Sequence, residues 1–260
     1  MLKRLLLVYI LVMVPLAQAH DNVLTIYTEQ HPPLSFTAEN GELTGFAVEV
    51  VQAIQERIDS HDKIELIPWA RGYQYALAPS KKNIILFATA FTEERRELFK
   101  WVGPIAQFSW VFYARADSHI EINSLEDARQ VKGIGTYRGD VREQYLLANG
   151  FENIQSTTNN GQNLQKLLLK RITLWATSYN EAINFSKLEN TTYQWIKPVY
   201  TVETTGLYMA FNKNTADAIV RKWQQGYQAI KQDGTLARLA KKWRQEFPNH
   251  IIPSVLKSSR

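Results

Sequence analysis

The side chains that could do chemistry in this sequence are carboxylates, histidines and arginines, because the chain contains no cysteine. Cysteine nucleophiles, thiolate metal sites and disulfide frameworks are therefore excluded. No two of the five histidines have the spacing of metal ligands. The sequence also lacks the phosphate-binding, dinucleotide-binding, serine-hydrolase and zinc-protease motifs. We therefore expect no metal site and no cofactor.

Three arginines stand beside residues that could form a binding site. Arg95 lies in the charged run EERRE over 93–97, Arg71 in the segment WARGY over 69–73, and Arg138 in the segment TYRGD over 136–140. A guanidinium group presents two parallel N–H donors that match the two oxygens of a carboxylate. The run over 93–97 is equally typical of solvated surface ion pairs, so its charge pattern alone leaves both readings open.

Glu29 and His31 are the titratable residues next to the first predicted turn. A carboxylate at the end of a strand can accept an ammonium group from a ligand, and it can also cap the turn. His31 precedes Pro32 and Pro33, which favours an ordinary loop residue over a general acid or base. Both interpretations of each residue stay open at this point.

Length and composition indicate an ordinary globular chain. The 260 residues are 45% hydrophobic, 12% aromatic and 21% charged, which excludes collagen, coiled coils and wholesale disorder. This length suits one large domain or two lobes of roughly 100 residues each. The net charge of +5 is too small to indicate a nucleic-acid partner.

The N-terminus has the pattern of a secretory signal peptide. Two basic residues, Lys3 and Arg4, precede an apolar run over 5–14, and Ala17-Gln18-Ala19 has the small residues of a cleavage site. We expect a signal peptide over 1–19, a mature chain that begins at His20 and a periplasmic location. Removal of the peptide lowers the formal net charge from +5 to +3, because two basic residues are lost.

Strand and helix patterns alternate along the predicted mature chain. The predicted strands cover 23–27, 64–68, 84–88, 108–114, 131–136, 172–176 and 205–211. The predicted helices begin after Gly45, cover 72–78, 141–148 and 162–170, and begin at Ser124 and Ser178. Asp140 is a good N-cap for the helix over 141–148, and the acid three residues after Ser124 forms a capping-box pattern.

Two helices are expected at the C-terminus, each with an aromatic stripe. Apolar residues recur at helical spacing over 219–230 and again over 236–247, with a break at Asp233-Gly234. Aromatic residues at this spacing are more often core than ligand cage. The alternation of strands and helices predicts α/β lobes with mostly parallel sheets.

Four segments in order resemble the family 3 extracellular solute-binding proteins, which are receptors for polar amino acids. They are TIYTEQHPPLSFTAENGELTGF over 25–46, the TEER segment over 92–95, the SLED segment over 124–127 with the glycines that follow it, and DGT over 233–235 with its Lys-Trp helix. Each motif alone is weak, but four of them at the family's spacing cover nearly all of the mature chain.

The resemblance implies a type II periplasmic binding protein fold. Two α/β lobes with mixed, mostly parallel sheets would be joined by a two-strand hinge. Lobe 1 would comprise 20–113 and 207–260, and lobe 2 would comprise 114–206. The function implied is capture of a small polar or anionic solute in the cleft, for an ABC importer or a membrane sensor, by a monomer without enzymatic activity.

The resemblance also implies a set of binding residues. Arg95 corresponds to the arginine that binds the ligand carboxylate in family members, and Trp69 corresponds to an aromatic wall of the cleft. Ser178 stands where amino-acid receptors usually carry an aspartate for the ligand ammonium, and Ala90 replaces a serine or threonine. The full set of candidates is Glu29, Trp69, Arg71, Thr89, Arg95, Arg138, Asp140 and Ser178.

These departures favour an anionic or polar ligand over a standard zwitterionic amino acid, because Arg71 and Arg138 add positive charge where an aspartate is lost. Two other functions stay open. Cyclohexadienyl dehydratases resemble these receptors and would use Glu29 or His31 as a general acid or base. The other alternative is a signalling protein whose cleft is vestigial.

Overall fold

The computed structural model describes residues 23–188, 193–248 and 250. The predicted signal peptide over 1–19 lies outside this part of the chain. Eight strands form one mixed sheet in the order β4-β1-β5-β10-β6-β9-β7-β8. These strands are β1 (Thr25–Thr28), β4 (Ile64–Leu66), β5 (Ile84–Ala90), β6 (Phe99–Arg115), β7 (Ile134–Tyr137), β8 (Ile154–Thr157), β9 (Leu174–Thr177) and β10 (Ile196–Asn212), and a separate hairpin pairs β2 (Phe36–Thr37) with β3 (Leu43–Thr44).

Two long antiparallel strands, β6 and β10, lie side by side in the middle of the sheet. β6 and β10 each have 17 residues, and they pair from Asn212 opposite Phe99 to Ile196 opposite Arg115. Strands β5, β1 and β4 adjoin one end of this pair, and β9, β7 and β8 adjoin the other. We call these two parts the first half and the second half of the molecule. The predicted strands over 108–114 and 205–211 are inner parts of β6 and β10.

Nine helices cover the two halves within the described residues. They are α1 (Phe46–Ile58), α2 (Trp69–Leu77), α3 (Glu93–Arg96), α4 (Leu125–Arg129), α5 (Val141–Ala148), α6 (Gly161–Leu168), α7 (Tyr179–Leu188), α8 (Asp217–Gln232) and α9 (Thr235–Glu246). None of the helices in the described ranges is long and apolar enough to cross a bilayer.

The core of the first half confirms the predicted helical stripes. The apolar residues that recur at helical spacing in α1 are all buried, and α1 packs against α8 and α9. They are Phe46, Val50, Val51, Ile54 and Ile58. The aromatic residues Trp223, Tyr227 and Trp243 lie in the same apolar cluster, so they are core residues, as their spacing predicts.

The second half has a smaller apolar cluster on each face of its strands. Ser124 and Asp127 form the predicted capping box at the start of α4, and Asp140 caps α5 by accepting the Arg142 N–H. Strand β8 was absent from the prediction, because its sequence IQST contains no apolar run. The lobe boundaries at 113/114 and 206/207 stay predictions.

Gly45 sets the angle at which the chain enters α1. Its φ is +133°, and a Cβ atom there would lie 2.3 Å from the Leu34 carbonyl oxygen. Gly41 also has a positive φ of +85°, but a Cβ there meets nothing within 4 Å. Gly45 therefore combines a backbone conformation that is essentially restricted to glycine with a close steric contact, whereas Gly41 has only a positive φ.

We expect Gly41→Ala to lower the free energy of unfolding by about 1–2 kcal/mol, the cost of a side chain in a left-handed conformation. Gly45→Ala adds an overlap with the backbone, so its loss exceeds that of Gly41→Ala by about 1–3 kcal/mol. Urea denaturation of both variants measures the difference. Equal losses would show that the contact with Leu34 does not constrain the helix start.

Candidate functional site

A cavity of about 20 Å³ lies where the two halves of the molecule meet. This volume holds roughly one water molecule. The first half contributes residues from the end of β1, the start of α2, the end of β5 and helix α3, and the second half contributes the start of α5. The lining residues are Glu29, His31, Trp69, Ala88, Ala90, Arg95, Phe108, Asp140, Val141, Arg142 and Leu207.

Arg95 is the most deeply buried charged residue of this cavity, with 1% of its surface exposed. Its Nε and Nη2 atoms donate to Gln144 Oε1 at 3.2 and 2.9 Å, and Nη1 donates to the Ala90 carbonyl at 3.4 Å. The guanidinium also lies 5.4 Å from the Trp69 ring and 4.8 Å from the Tyr73 ring. Among the described residues, no carboxylate forms an ion pair with it.

The surroundings of Arg95 are unfavourable for its charge. Burial lowers the pKa of its guanidinium, and Tyr73 together with the more distant Asp140 and Glu94 carboxylates offsets this only in part. A buried charge that is left without a counter-charge costs free energy. Binding of an anion to the Arg95 guanidinium would therefore be favourable.

Trp69 forms a wall of the cavity and also links the two halves. It is 4% exposed and stacks on Tyr73 with ring centroids 5.5 Å apart. Its indole Nε1 donates to the Gly139 carbonyl at 3.2 Å. The ring thus supports Arg95 on one side and reaches the second half on the other.

An ion-paired cluster forms the opposite side of the cavity. Arg142 is 3% exposed, and its Nε donates to Asp140 Oδ1 at 2.5 Å. Both of its Nη atoms donate to the Glu181 carboxylate. Burial opposes the charge of Arg142, but Asp140 and Glu181 outweigh it and raise the guanidinium pKa. Although burial acts in the other direction, Arg142 and its neighbours lower the Glu181 pKa to about 2.

Glu181 owes its position to the start of α7. The Ser178 backbone N–H and hydroxyl donate to Glu181 Oε2 at 3.2 and 3.0 Å, and the Glu181 N–H donates to Ser178 Oγ at 3.3 Å. This is a capping box with the usual spacing of three residues. The Ser178 hydroxyl therefore fixes Glu181, and Ser178 does not line the cavity.

Glu29 and His31 bring two further titratable groups to the cavity. Burial raises the pKa of Glu29 to about 8, the Asp140 and Glu181 carboxylates add to the rise, and Arg142 opposes it. His31 is 8% exposed and its Nε2 atom has no hydrogen-bond partner. Burial lowers the His31 pKa. These pKa shifts favour a protonated Glu29 and a neutral His31 at neutral pH.

The structure brings half of the predicted site residues together. Glu29, Trp69, Arg95 and Asp140 all line the cavity. Thr89 is buried, but its hydroxyl donates to the Leu86 carbonyl at 2.9 Å. Arg71 and Arg138 are exposed and do not line the cavity.

The extra positive charge of this cavity comes from Arg142, which the sequence analysis did not select. Asp140 and Glu181 already pair with it. The argument for an anionic ligand that rested on Arg71 and Arg138 therefore loses its structural basis. Other residues at the cavity or between the halves that lay outside the predicted set are Ala88, Ala90, Phe108, Val141 and Leu207, which line the cavity with His31, and Gln144 and Glu181, which contact its charged residues. Of these, the spacing of Ser178 and Glu181 could have indicated a capping box at the start of α7.

The family assignment follows from a match over most of the chain. The model of the bacterial extracellular solute-binding proteins, family 3, matches residues 24–246. The chain belongs to this family. It is 26% identical to the probable amino-acid-binding protein YxeM of Bacillus subtilis over 237 residues, which cover 87% of this chain and 85% of YxeM. It is 21% identical to the L-cystine-binding protein TcyJ of Escherichia coli K12 over 215 residues, with 82% and 79% covered.

Solved structures confirm the fold of this family 3 protein. A histidine kinase sensor domain with similarity to periplasmic binding proteins superposes with a TM-score of 0.74 at 17% identity, covering 85% of this chain and 96% of that domain. An ancestral arginine-binding protein bound to arginine gives 0.70 at 20% identity, with 85% and 98% covered. The resemblance and the α/β fold class read from the sequence are confirmed.

We predict that Glu29→Gln changes how stability depends on pH. The folded state holds the Glu29 proton more tightly than the unfolded chain, so stability falls as the pH rises from about 4.5 to about 8. Glutamine carries no titrating proton, so the variant should lose this slope and be more stable than the wild type at pH 8.

Urea denaturation of the solute-free protein, from about pH 5 to pH 8.5, measures this difference. Glu39→Gln serves as the control, because Glu39 is exposed. An unchanged slope in Glu29→Gln would contradict the pKa shift of Glu29.

We also predict that Arg142→Leu lowers the free energy of unfolding by about 3–5 kcal/mol, because it leaves Asp140 and Glu181 buried without a counter-charge. Arg138→Leu, four positions earlier and exposed, should change it by less than about 0.5 kcal/mol. Thermal or urea denaturation of both variants tests the contrast. Similar losses in the two variants would show that the buried cluster does not stabilise the fold.

Proposed function

We propose that this family 3 protein captures an amino-acid-like solute in the cleft between its two halves, with the solute carboxylate on Arg95. The carrying observation is the burial of Arg95 at 1% exposure with only neutral oxygen acceptors. A carboxylate would supply two charged acceptors to the fork of this guanidinium. It would also remove the cost of leaving a buried positive charge unpaired.

The other end of the cavity favours a positively charged group. Glu29 has a raised pKa partly because the Asp140 and Glu181 carboxylates lie near it. An ammonium group bound beside Glu29 would offset this excess of negative charge and allow Glu29 to ionise. Arg95 and Glu29 line the same cavity, so a single small zwitterion can satisfy both.

Names of related proteins support this class of solute. Besides the two relatives above, an arginine-binding periplasmic protein of Mannheimia haemolytica is 26% identical over 145 residues. An octopine-binding periplasmic protein of Rhizobium meliloti is 24% identical over 170 residues. We propose the same periplasmic location here and delivery of the solute to an ABC importer.

Solute entry requires the halves to separate. A cavity of about 20 Å³ is too small for any amino acid, so the solute must enter while the halves are apart. The strands β6 and β10 are the connections that pass between the halves through the sheet. Their ladder has register shifts between Pro198 and Tyr200, between Thr201 and Glu203, and between Leu207 and Met209, so its regular pairing is interrupted there. We propose this stretch as the hinge.

Isothermal titration with a panel of amino acids and their des-amino analogues tests the proposal. We expect one or more amino acids to bind, and the matching analogue without the amino group to bind at least about 10-fold more weakly. Arg95→Lys keeps the charge but loses the fork, so it should weaken binding about 10- to 100-fold, and Arg95→Ala should weaken it further.

Arg96→Lys is the matched control, because Arg96 is exposed and pairs with Glu93. Its affinity should stay within about 2-fold of the wild type, since changes at exposed ion pairs are small. Binding that survives Arg95→Ala unchanged would contradict the proposal. Equal affinity for an amino acid and its des-amino analogue would contradict the role of Glu29.

Enzymatic elimination is the second candidate function. A carboxyl group with a pKa of about 8 is protonated at neutral pH, as a general acid must be. One solved structure of similar fold is an ancestral amino-acid-binding protein described as a precursor of cyclohexadienyl dehydratase, with a TM-score of 0.67 at 22% identity. Incubation with prephenate or arogenate tests this candidate, and product formation that Glu29→Gln abolishes would favour it over simple capture.

A further inference from the structure

Gln144 occupies the place on Arg95 where a carboxylate would be expected. Its Oε1 atom accepts from both Nε and Nη2 of Arg95, at 3.2 and 2.9 Å. Arg95 belongs to α3 of the first half and Gln144 to the first turns of α5 in the second half. The contact therefore spans the cleft, and one side-chain oxygen receives both donors of the fork.

The Gln144 amide is held in this orientation by a second bond. Its Nε2 atom donates to the Gly139 carbonyl at 3.1 Å, and Trp69 Nε1 donates to the same carbonyl at 3.2 Å. With the nitrogen fixed in this way, the amide oxygen is directed to Arg95. The neighbouring Glu143 accepts from the Gly139 N–H at 2.5 Å, so its carboxylate does not reach Arg95.

On the other side of the cleft, a further bond joins the halves. Asn184 Nδ2 on α7 donates to the Pro32 carbonyl at 2.6 Å. Together with the bonds of Arg95 and Trp69, it holds the halves together around a cavity of about 20 Å³. These hydrogen bonds are therefore contacts that any separation of the two halves must break.

We propose that Gln144 competes with the solute for Arg95: its amide oxygen accepts the two N–H donors that a solute carboxylate would take, joins the two halves across the cleft and must be displaced before a solute carboxylate can bind. This proposal rests on the proposed function, since it assigns regulation to the same site. It makes Gln144 a determinant of affinity, although in this structure it does not contact the cavity.

The chemistry of the amide explains why the solute can displace Gln144. A neutral amide oxygen satisfies part of the hydrogen-bonding capacity of Arg95, but it does not neutralise the charge. Hydrogen bonds between two charged partners are roughly twice as strong as neutral ones, so a carboxylate displaces the amide. A glutamate at this position would pair with Arg95 permanently and exclude the solute.

Competition lowers the apparent affinity for the solute, because only the fraction of protein in which Gln144 has left Arg95 can bind it. Gln144→Met keeps the length of the side chain and removes the acceptor, and Gln144→Ala removes both. We expect each variant to bind the amino acid identified by the panel about 3- to 10-fold more tightly than the wild type. Gln144→Glu should abolish binding and raise the melting temperature of the solute-free protein.

A distance measurement on the solute-free protein tests this contact between the halves directly. The sequence contains no cysteine, so spin labels can be attached at Gln52→Cys on α1 and Glu121→Cys ahead of α4, which are exposed positions in the two halves. We expect Gln144→Met and Gln144→Ala to broaden the label-to-label distances and shift them from those of the wild type. Gln162→Ala, an exposed glutamine on α6, is the control and should change nothing.

The results separate this proposal from the proposed function. Unchanged distances in both Gln144 variants, or an affinity that is unchanged or weaker, would overturn the role of Gln144. If no amino acid or carboxylate of the panel binds any variant, the proposed function fails, while the distances still decide whether Gln144 joins the two halves. Cooperative thermal melting of each variant confirms that it is folded.

Discussion

A buried guanidinium that forms no direct ion pair within the described residues is the constraint on which this structure depends. Arg95 is placed by a four-residue helix and covered by Trp69 and Tyr73. Every acceptor that the described residues offer it is neutral. A fold can retain such a charge when function requires it, because the guanidinium can then form its ion pair with an anion from solution.

The second half of the molecule shows the opposite arrangement. Arg142 is equally buried, but Asp140 and Glu181 surround it, so this guanidinium organises the protein and is not available to a solute. Burial raises the Glu29 pKa, and the Asp140 and Glu181 carboxylates of this cluster raise it further. The cavity thus has a cationic group, Arg95, at one end and acidic groups at the other. A zwitterion can pair its carboxylate with the first and its ammonium group with the second.

Local patterns in the sequence predicted the frame of the molecule well. The spacing of apolar residues located α1, and the caps at Ser124 and Asp140 located the starts of α4 and α5, because these signals depend on residues close together in the chain. Arg95 was selected in another way, through the family resemblance, and it does line the cavity.

Long-range pairing explains what the sequence could not show. Arg142 and Glu181 are 39 positions apart, and Arg95 and Gln144 are 49 apart, so no local pattern connects them. Arg71 and Arg138 neighbour true cavity residues in the chain, but the helix and the turn that carry them direct both to the surface. Strand β8 has a polar sequence and is held at the sheet edge by pairing with β7, which a periodicity cannot reveal.

The most direct test of the central claim is a crystal structure of the protein with a bound amino acid. The account predicts that the carboxylate of the amino acid lies within hydrogen-bond distance of Arg95 Nε and Nη2, in place of Gln144 Oε1, with the amino group beside Glu29. A bound amino acid elsewhere, with the bonds between Arg95 and Gln144 intact, would contradict it.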